Sequence, residues 1–383
     1  MKDITLEVEA AIEYKGLIYF CEPQTNALYR VNVRTAKTEF LCFLHSEKRT
    51  QPYKSAYRYE NYAWFIPWEA EEILCVNLDN LEMERYEIPY IKKNLRCKKK
   101  FPRFCYYYTS GRICEEKIFL VPSGTDTPVV INMKTKEIIA FKGVVDVEKE
   151  IMGYGVCVKD KIWMVPYEGD RILILDYQSG EVESIPWEFE CMQYGGMLYH
   201  EDKIWFAPHK ADNMLVFDLK TKKYDKILMD VYYNVNYSYF ELCFYENNIW
   251  IVPFESKLIL LYNSTSKEWR AFEKDSEICW GYNTGLRVIE CRDKLVFATC
   301  RTGYVSIYDD ESEQFNHIPV RISKEDILKK IENSREEIDV IAKTFRLEDY
   351  YGADMFLGLN IFLEICLRDG NLKERCSKKV CDE

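Results

Sequence analysis

The chain has 383 residues, with 52 basic against 63 acidic side chains for a net charge of −11, and it carries 29 Tyr, 20 Phe, 8 Trp and 15 Cys. At roughly 150 residues per domain, length alone suggests two or three domains, although closed all-β architectures run longer as single units. The acidic balance disfavours a general nucleic-acid binder, whose phosphate contacts need a basic surface.

The opening residues MKDITLEVEA lack the basic-then-apolar order of a signal peptide. The most hydrophobic stretch, Met355 to Leu367, is broken by Gly358, Asn360 and Glu364, so no membrane span is expected. An odd number of cysteines, spread through apparent strands without a C-x-x-C pair, predicts reduced core thiols in a cytoplasmic protein rather than a disulfide framework or a zinc site.

A short motif then recurs along the chain. It reads LIYFCE at Leu17 to Glu22, YAWFIP at Tyr62 to Pro67, KIFLVP at Lys117 to Pro122, KIWMVP at Lys161 to Pro166, KIWFAP at Lys203 to Pro208, NIWIVP at Asn248 to Pro253 and KLVFAT at Lys294 to Thr299. Ten residues past the last position of each lies Asn32, Asn77, Asn132, Asp176, Asp218, Asn263 or Asp309, always after an apolar run. Three residues further comes Thr35, Asn80, Thr135, Ser179, Thr221, Ser266 or Ser312. An Asx side chain can bond backbone groups two residues on, so this spacing predicts a turn between two strands. The links Glu201-Asp202 and Asn247-Asn248 read as tight hairpins between the first two strands of a repeat.

Each repeat therefore reads as four strands. Four short strands per roughly 45 residues, repeated in this way, predict an all-β, seven-bladed β-propeller of four-stranded blades. A parallel solenoid is the structural rival, but its repeats are usually shorter. Small residues in the proposed innermost strands suit crowding about an axis: Ser55, Ser110 and Gly196 share one register, and Ala11, Ala56, Gly111 and Gly155 share the next.

LIYFCEPQTNALYRV resembles the repeat of the virginiamycin B lyase type of seven-bladed propeller. GGMLYHEDKIWFAP and LLYNSTSKEWRAF, with Gly195-Gly196 and Trp269, resemble kelch blades of the galactose-oxidase kind. The likeness spans about residues 4 to 321 at the level of the repeat. The kelch double glycine occurs in one blade, and the lyase's catalytic histidine and glutamates match no motif here, so the resemblance implies a fold and not an activity.

The motif spacings are 45, 55, 44, 42, 45 and 46, and the 55 marks an insertion between blades two and three. That insertion carries Lys92, Lys93, Arg96, Lys98, Lys99, Lys100 and Arg103, and the inter-blade loop before it adds Lys48, Arg49 and Lys54. The cations are either a solvated loop or an anion-binding patch on the customary ligand face of a propeller. The same face is expected to gather aromatic groups. Trp68, Tyr167, His209 and Phe254 follow the motif, while Tyr53, Tyr108, Trp187, Tyr194, Tyr239 and Trp280 enter the inner strands. Such rings suit a protein segment or a carbohydrate-like ligand, and they equally suit packing between blades.

Catalytic patterns are thin. The four histidines His45, His200, His209 and His317 fall at different repeat positions, so neither a metal nor another cofactor is expected. His209 beside Asp212 reads as a ligand pair or as a lone surface histidine. Glu241 and Arg287 share one inner-strand register on adjacent blades, which fits a ligand anchor at the channel or a structural ion pair.

The repeats end near Val320, so residues 1–321 read as the propeller and 322–383 as a helical extension. Ser323 with Asp326 is a capping box, and Ile327, Ile331, Ile338, Ile341 and Phe345 fall at helical spacing. A second helix, about Asp349 to Leu367, is apolar on most sides and must be buried on the propeller's edge or against a partner. The chain as a whole reads as a non-catalytic binding propeller; the alternative is a lyase or hydrolase working at the channel mouth.

Overall fold

The computed structural model describes residues 3–23, 25–44, 53–68, 70–90, 108–190, 192–229, 239–253, 258–273, 286–290, 294–299, 303–323 and 325–326. Seven four-stranded sheets, each built from four consecutive antiparallel strands, form the seven expected blades. The antiparallel order excludes the parallel solenoid. The innermost strands are Glu9–Tyr14, Tyr53–Tyr59, Tyr108–Cys114, Ile151–Val158, Tyr194–His200, Tyr239–Tyr245 and Leu286–Glu290. Each meets the next around the axis, and Leu286–Glu290 meets Glu9–Tyr14 to close the circle.

The repeated motif forms the second strand of every blade, and its near-continuous hydrophobicity has a plain cause. Side chains alternate between the two faces of a strand, and here both faces are covered, one by each neighbouring blade. Trp64, Phe119, Trp163, Trp205 and Trp250 join the apolar cluster shared with the following blade. The next residue of each motif, Phe65, Leu120, Met164, Phe206 and Ile251, joins the cluster shared with the preceding one. Full burial of one large apolar side chain stabilises by about 1.5–3 kcal/mol, so these interfaces hold the ring together. Gly155 belongs to the same packing: a Cβ there would lie 2.5 Å from Val121 Cγ2 of the preceding blade and 3.0 Å from the Trp163 carbonyl oxygen.

The Asx turns form as the spacing predicts. Asn32, Asn132, Asp176, Asp218 and Asn263 each accept the backbone N–H groups two and three residues on, Asn77 accepts that of Asp79, and Asp309 that of Ser312. Four residues after each Asx the chain turns left-handed, at Ala36, Leu81, Lys136, Gly180, Lys222, Lys267 and Glu313. Four residues separate the paired positions Asn32 and Lys37, Asp218 and Lys223, and Asp309 and Gln314, and four-residue hairpin loops are most often built around a type I turn. The Glu201-Asp202 link is a hairpin as expected, with φ of 51° and 56°. In the next blade the left-handed pair is Glu246-Asn247, one residue earlier than the expected Asn247-Asn248, because Asn248 already pairs with Tyr245.

Among the described residues the first and last blades each consist of their own four consecutive strands. The ring is sealed beside them, where Ile4–Thr5 pairs with Arg321–Ile322 and the Leu6 amide donates to the Val320 carbonyl at 3.1 Å. Leu6, Val8, Val320 and Ile322 join the apolar cluster between blades seven and one. The capping box follows at once: Ser323 Oγ accepts the Asp326 N–H at 3.1 Å and donates to its carboxylate at 2.7 Å. Both predicted helices beyond Asp326, with their partner-docking face, lie outside the described residues.

Candidate functional site

A central channel of about 600 Å3 runs between the inner strands, and all seven of them contribute to its wall. Its upper end lies where the inner strands begin, beside the inter-blade loops; its lower end lies at the hairpins leading to the second strands. Six of the inner strands carry a register shift near their upper ends, at Glu9/Ile12, Tyr53/Ser55, Tyr108/Ser110, Met152/Tyr154, Tyr194/Met197 and Tyr239/Glu241. A bulge leaves its extra residue unpaired and re-aims the side chains beside it.

In blade two that extra residue is Lys54. The sequence placed it in the basic inter-blade loop, but it belongs to the strand Tyr53–Tyr59 and lines the channel. Its ammonium lies 4.7 Å from the Trp68 ring centroid and 3.9 Å from Glu9 Oε1. Glu9 is buried, and one of its carboxylate oxygens has no hydrogen-bond partner among the described residues. Sequence reasoning missed it, although a Glu opening a strand of buried residues was a signal.

Glu241 also lines the channel, and strand pairing confirms its register with Arg287, since Glu241 pairs with Val252 and Arg287 with Ala298. Its carboxylate accepts the Val288 backbone N–H from blade seven at 3.2 Å. The Arg287 side chain lies outside the described residues.

The expected aromatic face divides differently. Tyr53, Tyr108, Tyr194 and Tyr239 pair with Pro67, Pro122, Pro208 and Pro253 at the top of their blades. All four rings are buried and turn into the clusters shared with the preceding blade. The Tyr194 hydroxyl donates to Asn213 Oδ1 at 2.7 Å, and burial pushes its phenol up to about 12. Trp187 is enclosed by Phe189, Tyr194 and Phe206. Tyr167 is buried, its hydroxyl 2.9 Å from that of Tyr154, and Tyr154 lines the channel. Trp68, beneath the Lys54 ammonium, is the expected aromatic group that meets a channel-lining cation. Tyr53, Tyr108, Tyr167, Trp187, Tyr194 and Tyr239 hold blades together, because each joins an apolar cluster shared by two blades.

His209 is buried rather than a surface histidine, and desolvation holds its imidazole down to about 4. The Asp212 carboxylate beside it accepts the Asn213 side-chain N–H at 2.7 Å. Neither residue lines the channel. His200 stacks on Phe244 at 3.7 Å, and His317 Nδ1 lies 2.7 Å from Ser306 Oγ. Among the described residues no three His, Cys, Asp or Glu side chains gather as a metal-holding group. The described cysteines Cys21, Cys42, Cys75, Cys114, Cys157 and Cys243 are free thiols, and burial pushes Cys75 up to about 12 and Cys21 well above its ordinary value. Among the described residues no helix is long and apolar enough to cross a membrane.

Lys92, Lys93, Arg96, Lys98, Lys99, Lys100 and Arg103 lie outside the described residues, as do Lys48, Arg49, Phe254 and Trp280.

No family model matches the sequence, and no curated protein does. The fold is similar to that of virginiamycin B lyase from Staphylococcus aureus, with a TM-score of 0.56 at 12% identity over 73% of this chain and 86% of that one. It is similar to a streptogramin B lyase at a TM-score of 0.55 and 11% identity, over 73% and 87% of the two chains. It is also similar to the extracellular domain of BT4673 from B. thetaiotaomicron at 0.54 and 12%, over 80% of this chain and 39% of that one. Identities this low show the propeller fold alone.

Proposed function

We propose that this chain is a non-catalytic binding propeller that takes a protein segment or a carbohydrate-like, anion-bearing ligand at the upper end of its channel. The observation that carries this reading is Lys54, re-aimed by a bulge into the channel wall between Glu9 and Trp68. The Lys54 ammonium offers an anion contact in the channel wall, and the buried Glu9 carboxylate and Trp68 ring behind it hold it in place. The basic segment with Lys98, Lys99 and Lys100 supports an anion-bearing ligand by its charge and by its place in the sequence between the last strand of blade two and the first of blade three.

Two observations favour binding over lyase or hydrolase chemistry. The Glu241 carboxylate is engaged by a backbone amide, and His209 is held neutral inside the protein. The kelch-like character of the fifth and sixth blades, a cytoplasmic setting suited to free thiols, and partner docking by the helical extension belong to the same reading.

A glycan and metabolite binding screen on the purified full chain tests it. Saturable binding that is lost in Lys54→Glu and weakened when Lys98, Lys99 and Lys100 are reversed to Glu is the expected result. Turnover of the bound compound, abolished by Glu241→Gln, would establish the enzymatic alternative instead.

A further inference from the structure

The seam between blades seven and one differs from the other six, and the difference begins in the sequence. The motif's third residue is Tyr19, Trp64, Phe119, Trp163, Trp205 or Trp250 in blades one to six, but Val296 in blade seven. That residue faces the following blade, so the ring position that fills the other wedges holds only an isopropyl group between blades seven and one. A cleft of about 510 Å3 opens there on the hairpin side, opposite the inter-blade loops. Its apolar wall is Ile18, Val33, Val296 and Ile307.

The rim of the cleft is cationic in a protein of net charge −11. Lys15, Arg34, Arg58 and Lys294 line it with a single carboxylate, Glu13. Lys15 is tied to Asp79 at 2.8 Å, and Glu13 accepts the Gly16 backbone N–H at 2.6 Å. Arg58 gives one N–H to the Glu60 carbonyl at 2.9 Å, and its guanidinium lies 5.8 Å from the Tyr14 ring centroid. Among the described residues neither Arg34 nor Lys294 is held in an ion pair, although the Asp309 carboxyl, held low by the backbone N–H groups of its turn, is lowered further by the Lys294 charge. An Asx turn sets the Arg34 backbone, with its N–H on Asn32 Oδ1 at 2.9 Å. Two guanidinium forks and an ammonium beside an apolar wall match a phosphate or carboxylate head carrying a compact apolar body.

We propose that the blade seven–blade one cleft is a binding site for a small organic anion, its head on Arg34, Arg58 and Lys294 and its body against Val296, Ile18, Val33 and Ile307. The site does not depend on the upper-channel reading, because it lies on the opposite face, although Arg58, Lys294 and Glu13 also line the lower channel.

Calorimetric titration of the full chain at low salt with phenyl phosphate, benzoate, inorganic phosphate and benzyl alcohol tests the proposal. Phenyl phosphate or benzoate is expected to bind saturably at one site, more tightly than inorganic phosphate, while benzyl alcohol does not bind. Phosphate-only binding would reduce the site to a simple anion patch and overturn the proposed apolar contact. Arg34→Gln with Lys294→Gln should weaken the preferred probe by about tenfold or more, the equivalent of one charge-assisted contact. Val296→Trp, which restores the ring of the other seams, should block binding while circular dichroism reports an intact ring; Val296→Leu is the milder substitute if the larger ring does not fold. Wild-type protein that binds neither organic anion, or variants that bind as wild type does, would overturn the site.

Discussion

The Glu241 carboxylate in the inner strand of blade six accepts the Val288 backbone N–H of blade seven at 3.2 Å. An innermost strand has one free edge, whose N–H and C=O groups have no neighbouring strand to pair with. Here a side chain from one blade satisfies a donor on the next. Glu241→Ala should therefore lower the unfolding free energy by about 1.5–3 kcal/mol, as for loss of a hydrogen bond to a charged group. Glu241→Gln, which keeps an acceptor oxygen, should lose less than half as much. Urea denaturation measures both, and an unchanged midpoint in Glu241→Ala would remove the bridge from the account of stability.

The carboxylate of Glu150 is better enclosed, and an ion pair engages it. Arg171 donates to both Glu150 oxygens at 3.0 and 2.9 Å, and Glu150 also accepts the Asp146 N–H at 3.0 Å. The Glu150 side chain is 3% exposed whereas that of Arg171 is 41% exposed, so the carboxylate carries the larger desolvation cost. Arg171→Ala should cost about 1–3 kcal/mol by leaving that carboxylate short of donors. Arg171→Lys should recover only part, because an ammonium cannot reproduce the two-pronged fork. Equal midpoints for the Lys and Ala variants would contradict this.

Gly303 guards the ring seal. Its φ is +69°, and a Cβ would lie 2.2 Å from Thr5 Cγ2 and 2.9 Å from the Leu6 carbonyl oxygen. Left-handed backbone alone costs a non-glycine residue about 1–2 kcal/mol, and the contact with backbone has no side chain to move aside. Gly303→Ala should lower the melting temperature of the full chain by several degrees. In a chain lacking residues 1–6 the same substitution should cost far less, since coupled neighbours are non-additive; equal losses in the two backgrounds would place the strain elsewhere.

Stability should fall with acid in two separate windows. His209 is held to about 4 against an ordinary value near 6.5, so the unfolded chain takes up a proton that the folded chain refuses. Its contribution is whole above about pH 6.5 and is lost as pH falls to 4, on the order of 3 kcal/mol in full. Asp176, Asp218 and Asp309 titrate lower still than ordinary carboxylates, because backbone N–H groups of their turns bond the charged form. Their contribution is present above their unfolded values and disappears below about pH 3.8. His209→Gln should flatten the upper window and leave the lower one; a pH profile of denaturation midpoints unchanged by that substitution would rule His209 out as its source.

The left-handed turn position offers a gain rather than a loss. Lys222 has φ of 59° where blade four has Gly180 at 77°. Lys222→Gly relieves the Cβ clash but loosens the unfolded chain, for a net stabilisation of a few tenths to about 1 kcal/mol. Gly180→Lys should move the midpoint the opposite way. Thermal unfolding of both variants measures the difference, and shifts of the same sign would break the argument.

The blade count was legible because each blade repeats the same local solution: an apolar strand with both faces covered, then an Asx turn that bonds its own backbone. Asn132 with Lys134 and Thr135 needs no distant partner to form, so its spacing shows in the sequence. The fates of Tyr108, Tyr194 and Tyr239 were not legible, since a ring at the start of an inner strand can face a ligand or a neighbouring blade with the same sequence pattern. Lys54 read as part of a basic loop because no local signal marks a bulge that opens one residue after Tyr53.

The sequence by itself determined the repeat, the strand order within a blade and the turns, all of which depend on residues a few positions apart. Only the tertiary structure decided which aromatic rings became inter-blade packing, that Glu241 bridges two blades, and that Val296 leaves one seam open beneath four cations. Those outcomes depend on residues brought together by ring closure, up to the full length of the propeller apart, where the facing blade and not the local pattern sets what each side chain meets.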